Sequence, residues 1–301
     1  MTSSPFANPL LPAPSQDPWV TRHEGVFHAV NTDGRKIFLR RSEEVRDLFR
    51  QPAVTVWRAP VRGANAKHLW APELHRLDGR WFIYYAADNG RNCNHRLWVL
   101  AAAGDDPAGP YRDAGMIDTG GWSIDGHIFS GDDGERFLLW SGWEGPLKGA
   151  QNLYIAPLKD PLTLSGPRVL LSQPTEPWEQ RGAAICEGPA VLRRGEVTCV
   201  VYSASASWTV HSCLGMLVHR GGDFLDPAAW TKQGPVFQRT AQVWGIGHCS
   251  VVQDMDGDVI FYHAKTRRTH GWRDRNIRAQ TFGWDAGGVP CFGAPVWLPT
   301  A

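Results

Sequence analysis

Residues 70–87 read WAPELHRLDGRWFIYYAA. A mixed apolar run leads to Asp78-Gly79, and the aromatic run Trp81-Phe82-Ile83-Tyr84-Tyr85 follows. Asp-Gly between two such runs predicts a β-hairpin, because Gly accepts the positive φ that a tight turn demands. The stretch is not unique. Four others share its plan of a polar or acidic head, a short apolar run, a Gly-containing turn and an aromatic-rich strand. The first opens at Asp17-Pro18-Trp19-Val20 and turns near Glu24-Gly25. The third is SIDGHIFSGDDGERFLLWSGW, with Asp125 near its head and a turn at Asp133-Gly134. The fourth runs from Glu187 and turns at Gly195; the fifth carries His248 and turns at Asp256-Gly257.

The heads Asp17, Trp70, Asp125, Glu187 and His248 are 53, 55, 62 and 61 residues apart. A period near 60 that fits five times into 301 residues predicts radial repetition, one blade of short strands per period. Helical periodicity is absent, and 32 Gly and 22 Pro are spread along the chain, as many short strands joined by turns require. No composition shift marks a boundary, which disfavours a β-sandwich with a second small domain. The expected fold is all-β, a single five-bladed β-propeller domain over 1–301. The strand read at Asn276–Phe282 is expected to complete a blade begun at the N-terminus and so close the ring.

The innermost strand of each blade lines the central channel of a propeller. If each head opens such a strand, the five heads converge on one funnel, and three of them are carboxylates. Glycoside cleavage needs an acid for the leaving oxygen and a base for water. A third carboxylate can tune the acid by like-charge repulsion. Fifteen tryptophans suit packing for the most part, with two or three left to stack on sugar rings.

Composition excludes other classes. Thirty-one Lys and Arg against 30 Asp and Glu, with no basic run, argue against nucleic acid as a partner. No apolar stretch is long enough to span a bilayer. The N-terminus lacks the basic and apolar regions of a signal peptide, and six cysteines show no metal-finger spacing. These features are expected of a cytoplasmic protein with reduced thiols, or a secreted one if a leader was removed.

Nine motifs along the chain give it a clear resemblance to a known family. They are NPLLP…DPWV (Asn8–Val20), WAPELH (Trp70–His75), SIDG (Ser123–Gly126), WSGWEG (Trp140–Gly145), QNLYIA (Gln151–Ala156), EGP (Glu187–Pro189), YSASASW (Tyr202–Trp208), GIGHCS (Gly245–Ser250) and IRAQTFGW (Ile277–Trp284). In order and spacing they resemble glycoside hydrolase family 43, in its exo-acting α-L-arabinofuranosidase branch. The resemblance implies an inverting enzyme with Asp17 as general base, Asp125 as pKa-modulating and orienting group, and Glu187 as general acid. It implies Trp70 and Arg278 as substrate-binding residues, and His248 beside an ion, often calcium, with no cofactor otherwise required. The expected substrate is an arabinose-containing oligosaccharide or polysaccharide. The chain departs from the common pattern at Gly126, where many relatives have Pro, and at Ile246 and Cys249.

Residue by residue, plainer readings stand beside these. Asp17 and Asp125 could be turn residues. His248, His127 and His263 could be buried structural histidines. Glu73 and Asp88 are expected to be solvated or capping, though Glu73 could orient a neighbour. The run from Thr266 to Arg275 is expected to be a solvated basic rim, or else a substrate-facing wall. Competing functions are a β-xylosidase or endo-arabinanase on the same scaffold, or a non-catalytic carbohydrate-binding propeller. A protein-interaction propeller of the Trp-Asp type is disfavoured, because that dipeptide does not recur at blade ends.

Overall fold

The computed structural model describes residues 6–255 and 257–297. Five antiparallel sheets follow one another along the chain. Blade one is β1 (Trp19–His23), β2 (Val26–Thr32), β3 (Lys36–Ser42) and β4 (Val54–Arg58). Blade two is β5 (Lys67–Leu77), β6 (Arg80–Asp88), β7 (Arg96–Ala102) and β8 (Tyr111–Met116). Blade three is β9 (Ser123–Ser130), β10 (Arg136–Gly142), β11 (Asn152–Asp160), β12 (Thr163–Leu164) and β13 (Val169–Ser172), the last two both pairing with β11. Blade four is β14 (Cys186–Arg194), β15 (Val197–Ala204), β16 (Cys213–His219) and β17 (Trp230–Phe237). Blade five is β18 (Trp244–Asp254), β19 (Gly257–Lys265), β20 (Arg275–Trp284) and β21 (Pro290–Cys291). Helix among the described residues is limited to short 3₁₀ turns.

The hairpin turns form where the sequence puts them. Asp78 and Gly79 both have positive φ between the paired residues Leu77 and Arg80, as a type I′ turn requires. Gly195 takes positive φ between Arg194 and Val197. Of the turn expected at Asp256-Gly257, Asp256 lies outside the described residues.

The innermost strands β1, β5, β9, β14 and β18 contact one another in that order, and β18 contacts β1. The channel is therefore a closed ring. Each of the five apolar clusters lies between two adjacent blades. Phe27 and Phe261 join blades one and five, for example, while Tyr84 and Trp140 join blades two and three. Fully burying one such side chain stabilises by about 1.5–3 kcal/mol. Most of the tryptophans pack in this way; Trp272 is the one exposed to more than half of its surface.

Closure differs from the expectation. The Asn276–Phe282 strand is part of β20, the third strand of blade five, and that blade begins at Trp244. The N-terminal segment lies against the free edge of β20 instead. Leu10 N donates to Ile277 O at 2.8 Å, and Ser15 N to Arg275 O at 2.9 Å. Asn8 acts as a strand residue through its side chain, giving Nδ2–H to Ala279 O at 2.8 Å and taking Ala279 N–H at 2.9 Å. The segment thus covers an edge that the two-residue β21 leaves open.

In every blade the first strand runs away from one end of the channel and the second returns to it. The openings of the innermost strands, and the loops joining second to third strands, therefore gather at that end, here the upper end.

Candidate active site

The innermost strands share one local distortion. Asp17, Ala71, Asp125, Gly188 and His248 all have left-handed backbone, with φ between 41° and 58°. In β5, β9, β14 and β18 the ladder shifts register at this place, so the strand carries an extra residue. A bulge of this kind re-aims a side chain out of the pleat. Left-handed backbone costs a non-glycine residue about 1–2 kcal/mol, so the sheet is held against local preference where the chain meets the channel. The repeat is thus in phase at Asp17, Asp125 and His248. Trp70 and Glu187 stand one residue ahead of that position, each followed by the left-handed residue and a proline.

Asp17 precedes β1 and is 14% exposed. Its Oδ1 accepts from His263 Nδ1 at 3.0 Å and from Arg275 Nη1 at 3.3 Å. Burial alone would raise its pKa, but the Arg275 charge, the His263 hydrogen bond and His248 together hold it well below the usual carboxylate range. Burial lowers His263 to about 4, so this ring is neutral and donates through Nδ1–H. Gly247 makes room for it; a Cβ there would lie 2.7 Å from His263 Nε2.

Glu187 has the opposite environment. Burial pushes its pKa up to about 7, against a hydrogen bond from Gln151 and with a further upward push from the Asp17 charge. Gln151 Nε2 donates to Oε2 at 3.0 Å, and the Ser207 hydroxyl also favours the ionised form. Asp125 lies in contact with the same segment. Its Oδ2 accepts from Gly188 N at 2.9 Å, which fixes the peptide next to Glu187. Asp125 is raised well above the usual range, by burial first and then by Glu187, Asp17 and Glu73. Two carboxyls this closely coupled lose their protons one after the other. Gly126, where a proline is common in the resembled family, lies against Leu97, and a Cβ would come within 2.8 Å of that side chain.

His248 also belongs to this group. Its Nδ1 is 3.9 Å from Asp125 Oδ2, and it packs under Gly188, where a Cβ would fall 2.7 Å from Nδ1. Burial lowers its pKa, so it is a neutral ring. Trp70 is half-buried at the start of β5, stacked on His95 with 3.9 Å between ring centres. It occupies in blade two the position that Glu187 occupies in blade four.

Arg278 is placed elsewhere. It is fully buried in blade five, donating to Asn276 Oδ1 and to the carbonyls of Val296 and Trp297. The arginine at the site is Arg275. The two are three residues apart on one strand, so they face opposite sides of the sheet. Arg275 sits on the side of Ile277, which packs against blade one; Arg278 pairs across with Tyr262, which packs against blade four. The sequence reading missed Arg275, His263, Gln151 and Ser207. Gln151 and Ser207 lie in the motifs quoted above, which was the available signal.

Glu73 and Asp88 are buried rather than solvated; of the other readings, Asp88 does cap, taking the Gly90 N–H, and Glu73 does hold its neighbours. Glu73 is 2% exposed, and its Oε2 takes both His75 Nε2 at 2.8 Å and His127 Nδ1 at 3.0 Å. Burial pushes Glu73 up to about 7. Among the described residues this is the one group of His and carboxylate side chains spaced for a metal ion. His127 Nε2, however, accepts the Val191 N–H at 3.2 Å, so in the neutral ring Nδ1 carries the proton and donates to Glu73. That tautomer leaves Nδ1 no lone pair for a metal. Asp88 is fully buried, with Oδ1 taking His68 Nδ1 at 2.9 Å and Gly90 N at 2.7 Å.

The profile of Glycosyl hydrolases family 43 matches residues 6–290. The chain is 35% identical, over 98% of its length, to alpha-L-arabinofuranosidase 43 of Humicola insolens, and covers 65% of that protein. It is 36% identical, over 87% of its length, to an extracellular exo-alpha-(1->5)-L-arabinofuranosidase of Streptomyces chartreusis, covering 83% of it. The crystal structure of an alpha-L-arabinofuranosidase from Lactobacillus brevis superposes with a TM-score of 0.92 at 30% identity, over 98% of both chains. With the carboxylates of its sequence motifs gathered at one end of a five-bladed channel, the chain belongs to glycosyl hydrolases family 43.

Proposed function

We propose that the protein is an inverting glycoside hydrolase that removes terminal L-arabinofuranose from arabinose-containing oligosaccharides or polysaccharides. One observation carries the chemistry: Glu187 is raised to about 7 while Asp17 is held low. Two carboxyls whose environments push their pKa values apart are an acid and a base. Glu187 protonates the leaving oxygen. Asp17 takes a proton from water as it attacks the anomeric carbon, and His263 and Arg275 hold its carboxylate in place. Asp125 positions the peptide next to the acid. Asp17 and Glu187 stand on blades one and four, which are not neighbours in the ring, and this suits the roughly 6.5–9.5 Å spacing that lets water enter. The arabinose preference rests on the named activities of the relatives above.

The test is a panel of aryl glycosides followed by proton NMR of the first product. The expected result is turnover of the α-L-arabinofuranoside with release of the β-anomer. Turnover of the β-D-xyloside alone would replace the sugar assignment, and an α-anomer would remove Asp17 from its role.

Calcium at His248 belongs to the same proposal. One ring nitrogen, with Asp125 Oδ2 3.9 Å away, is a thin set for a cation that takes six to eight oxygens, so water would supply the rest. Metal analysis of purified protein tests for it. As for location, no helix among the described residues is long and apolar enough to cross a membrane. The Streptomyces relative is named extracellular, which favours the secreted alternative over the cytoplasmic reading. Fractionation of source cells decides between them.

A further inference from the structure

The net charge of the chain is +1, yet basic groups collect at one place on the upper end. His211 lies within electrostatic reach of Arg181, Arg239, Arg268 and His270, and all five are exposed. They come from four separate loops: the approach to β14, the β15–β16 loop, the β17–β18 loop and the β19–β20 loop. None of the three arginines has a carboxylate partner among the described residues. Asp274, the one acid of the β19–β20 loop, is turned to the Thr269 hydroxyl.

This patch adjoins the acid side of the site. Ser207, which touches Glu187, accepts from Trp272 Nε1 at 3.3 Å. Trp272 is 54% exposed and meets Trp208 edge to face, with 5.5 Å between ring centres. The loop that presents it is firmly held. Lys265, fully buried, donates to the carbonyls of Trp208, Thr269 and Gly271, and Gly271 N donates to Trp208 O at 2.7 Å. A loop tied down in this way presents a half-exposed tryptophan beside the general acid, where an aromatic ring can stack on a sugar. On the reading above, Glu187 protonates the leaving oxygen, so this rim faces the part of the glycan that leaves.

We infer that the rim between blades four and five binds the leaving-group side of a uronic-acid-bearing glycan, with Trp272 as stacking plate and the Arg181–Arg239–Arg268 patch receiving carboxylates. The inference rests on the proposed roles of Glu187 and Asp17 and adds the substrate class. An uncompensated cationic surface favours an anionic ligand and rejects a cationic one, and exposed pairs of this kind act mainly on encounter and selectivity.

The experiment compares an arabinofuranosyl-substituted oligosaccharide carrying uronic acids on its leaving-group side with the same compound after carboxyl reduction. Two exposed ion pairs predict that the native enzyme prefers the acidic form by about three- to ten-fold in kcat/KM, chiefly through KM. The preference should shrink at about 0.5 M NaCl, where exposed charges are screened, and fall toward unity in the R239Q/R268Q double variant. Trp272→Ala should raise KM for both forms alike and leave their ratio unchanged. Equal turnover of the two forms by the native enzyme overturns the inference, and so does a preference that survives the double variant. An aryl α-L-arabinofuranoside separates the two levels. If it is cleaved while neither oligosaccharide is, the inference fails and the proposed activity stands. If it is not cleaved, the proposed activity itself fails.

Discussion

Arg275 and Asp17 are 258 residues apart in the chain, and Arg275 Nη1 lies 3.3 Å from Asp17 Oδ1. The pair joins the third strand of blade five to the entry of blade one, so it is present only when the ring is closed. It is also the strongest of the influences that lower the Asp17 pKa. Base catalysis needs Asp17 ionised, so the acidic limb of the pH–kcat/KM profile reports this carboxyl. Arg275→Ala should raise the Asp17 pKa and move that limb to higher pH. A profile whose acidic limb stays in place would detach Arg275 from the base.

Glu187 must be protonated to act, and its pKa is raised to about 7. Activity should therefore fall as pH rises through that region. Glu187→Gln should lose about 10²–10⁴-fold on substrates with poor leaving groups. It should lose far less on aryl glycosides with activated leaving groups, which need little protonation. Equal losses on the two classes would give Glu187 a different task.

Gln151 donates to Glu187 Oε2 and favours its ionised form. Removing that donor takes away the largest of the influences that oppose burial, with Arg275 and Ser207 remaining. Gln151→Ala should therefore raise the Glu187 pKa further and carry the basic limb of the profile to higher pH, opposite in origin to the Arg275 effect and on the other limb. A basic limb that moves to lower pH would contradict the assignment.

Asn8 supplies both hydrogen bonds of a strand neighbour to Ala279. Asn8→Ala leaves a buried N–H and C=O without partners, at about 2–4 kcal/mol. In a chain of this size that lowers the melting temperature by about 3–6 °C. Thermal unfolding followed by circular dichroism measures it. A shift under 1 °C would mean that water replaces the side chain.

The blades were legible because each carries a turn whose backbone favours Gly, set between apolar runs; residues 70–87 alone state the unit. The three carboxylates were legible because each sits at the head of its repeat. Arg275 was not. In sequence it ends a basic run that looks like a solvated rim, and nothing local tells that it is buried against Asp17. Choosing Arg278 over Arg275 is a parity error, since an odd offset along a strand reverses the face. Glu73 and Asp88 read as solvated or capping because burial is not visible locally: His75 is only two residues from Glu73, but His127 reaches it from blade three and His68 reaches Asp88 from twenty residues away.

The left-handed residue at the channel end of each blade has an evolutionary consequence. A residue that bulges out of the ladder contributes little to strand pairing, so its identity can change while the blade around it persists. Two of the five places, Ala71 and Gly188, carry no reactive group at all, and the other three carry two acids and an imidazole. A blade can therefore gain or lose a reactive group at this place without its sheet being rebuilt, provided the neighbours make room. Room is short at both, because Ala71 is 2% exposed and a Cβ at Gly188 would meet the ring of His248.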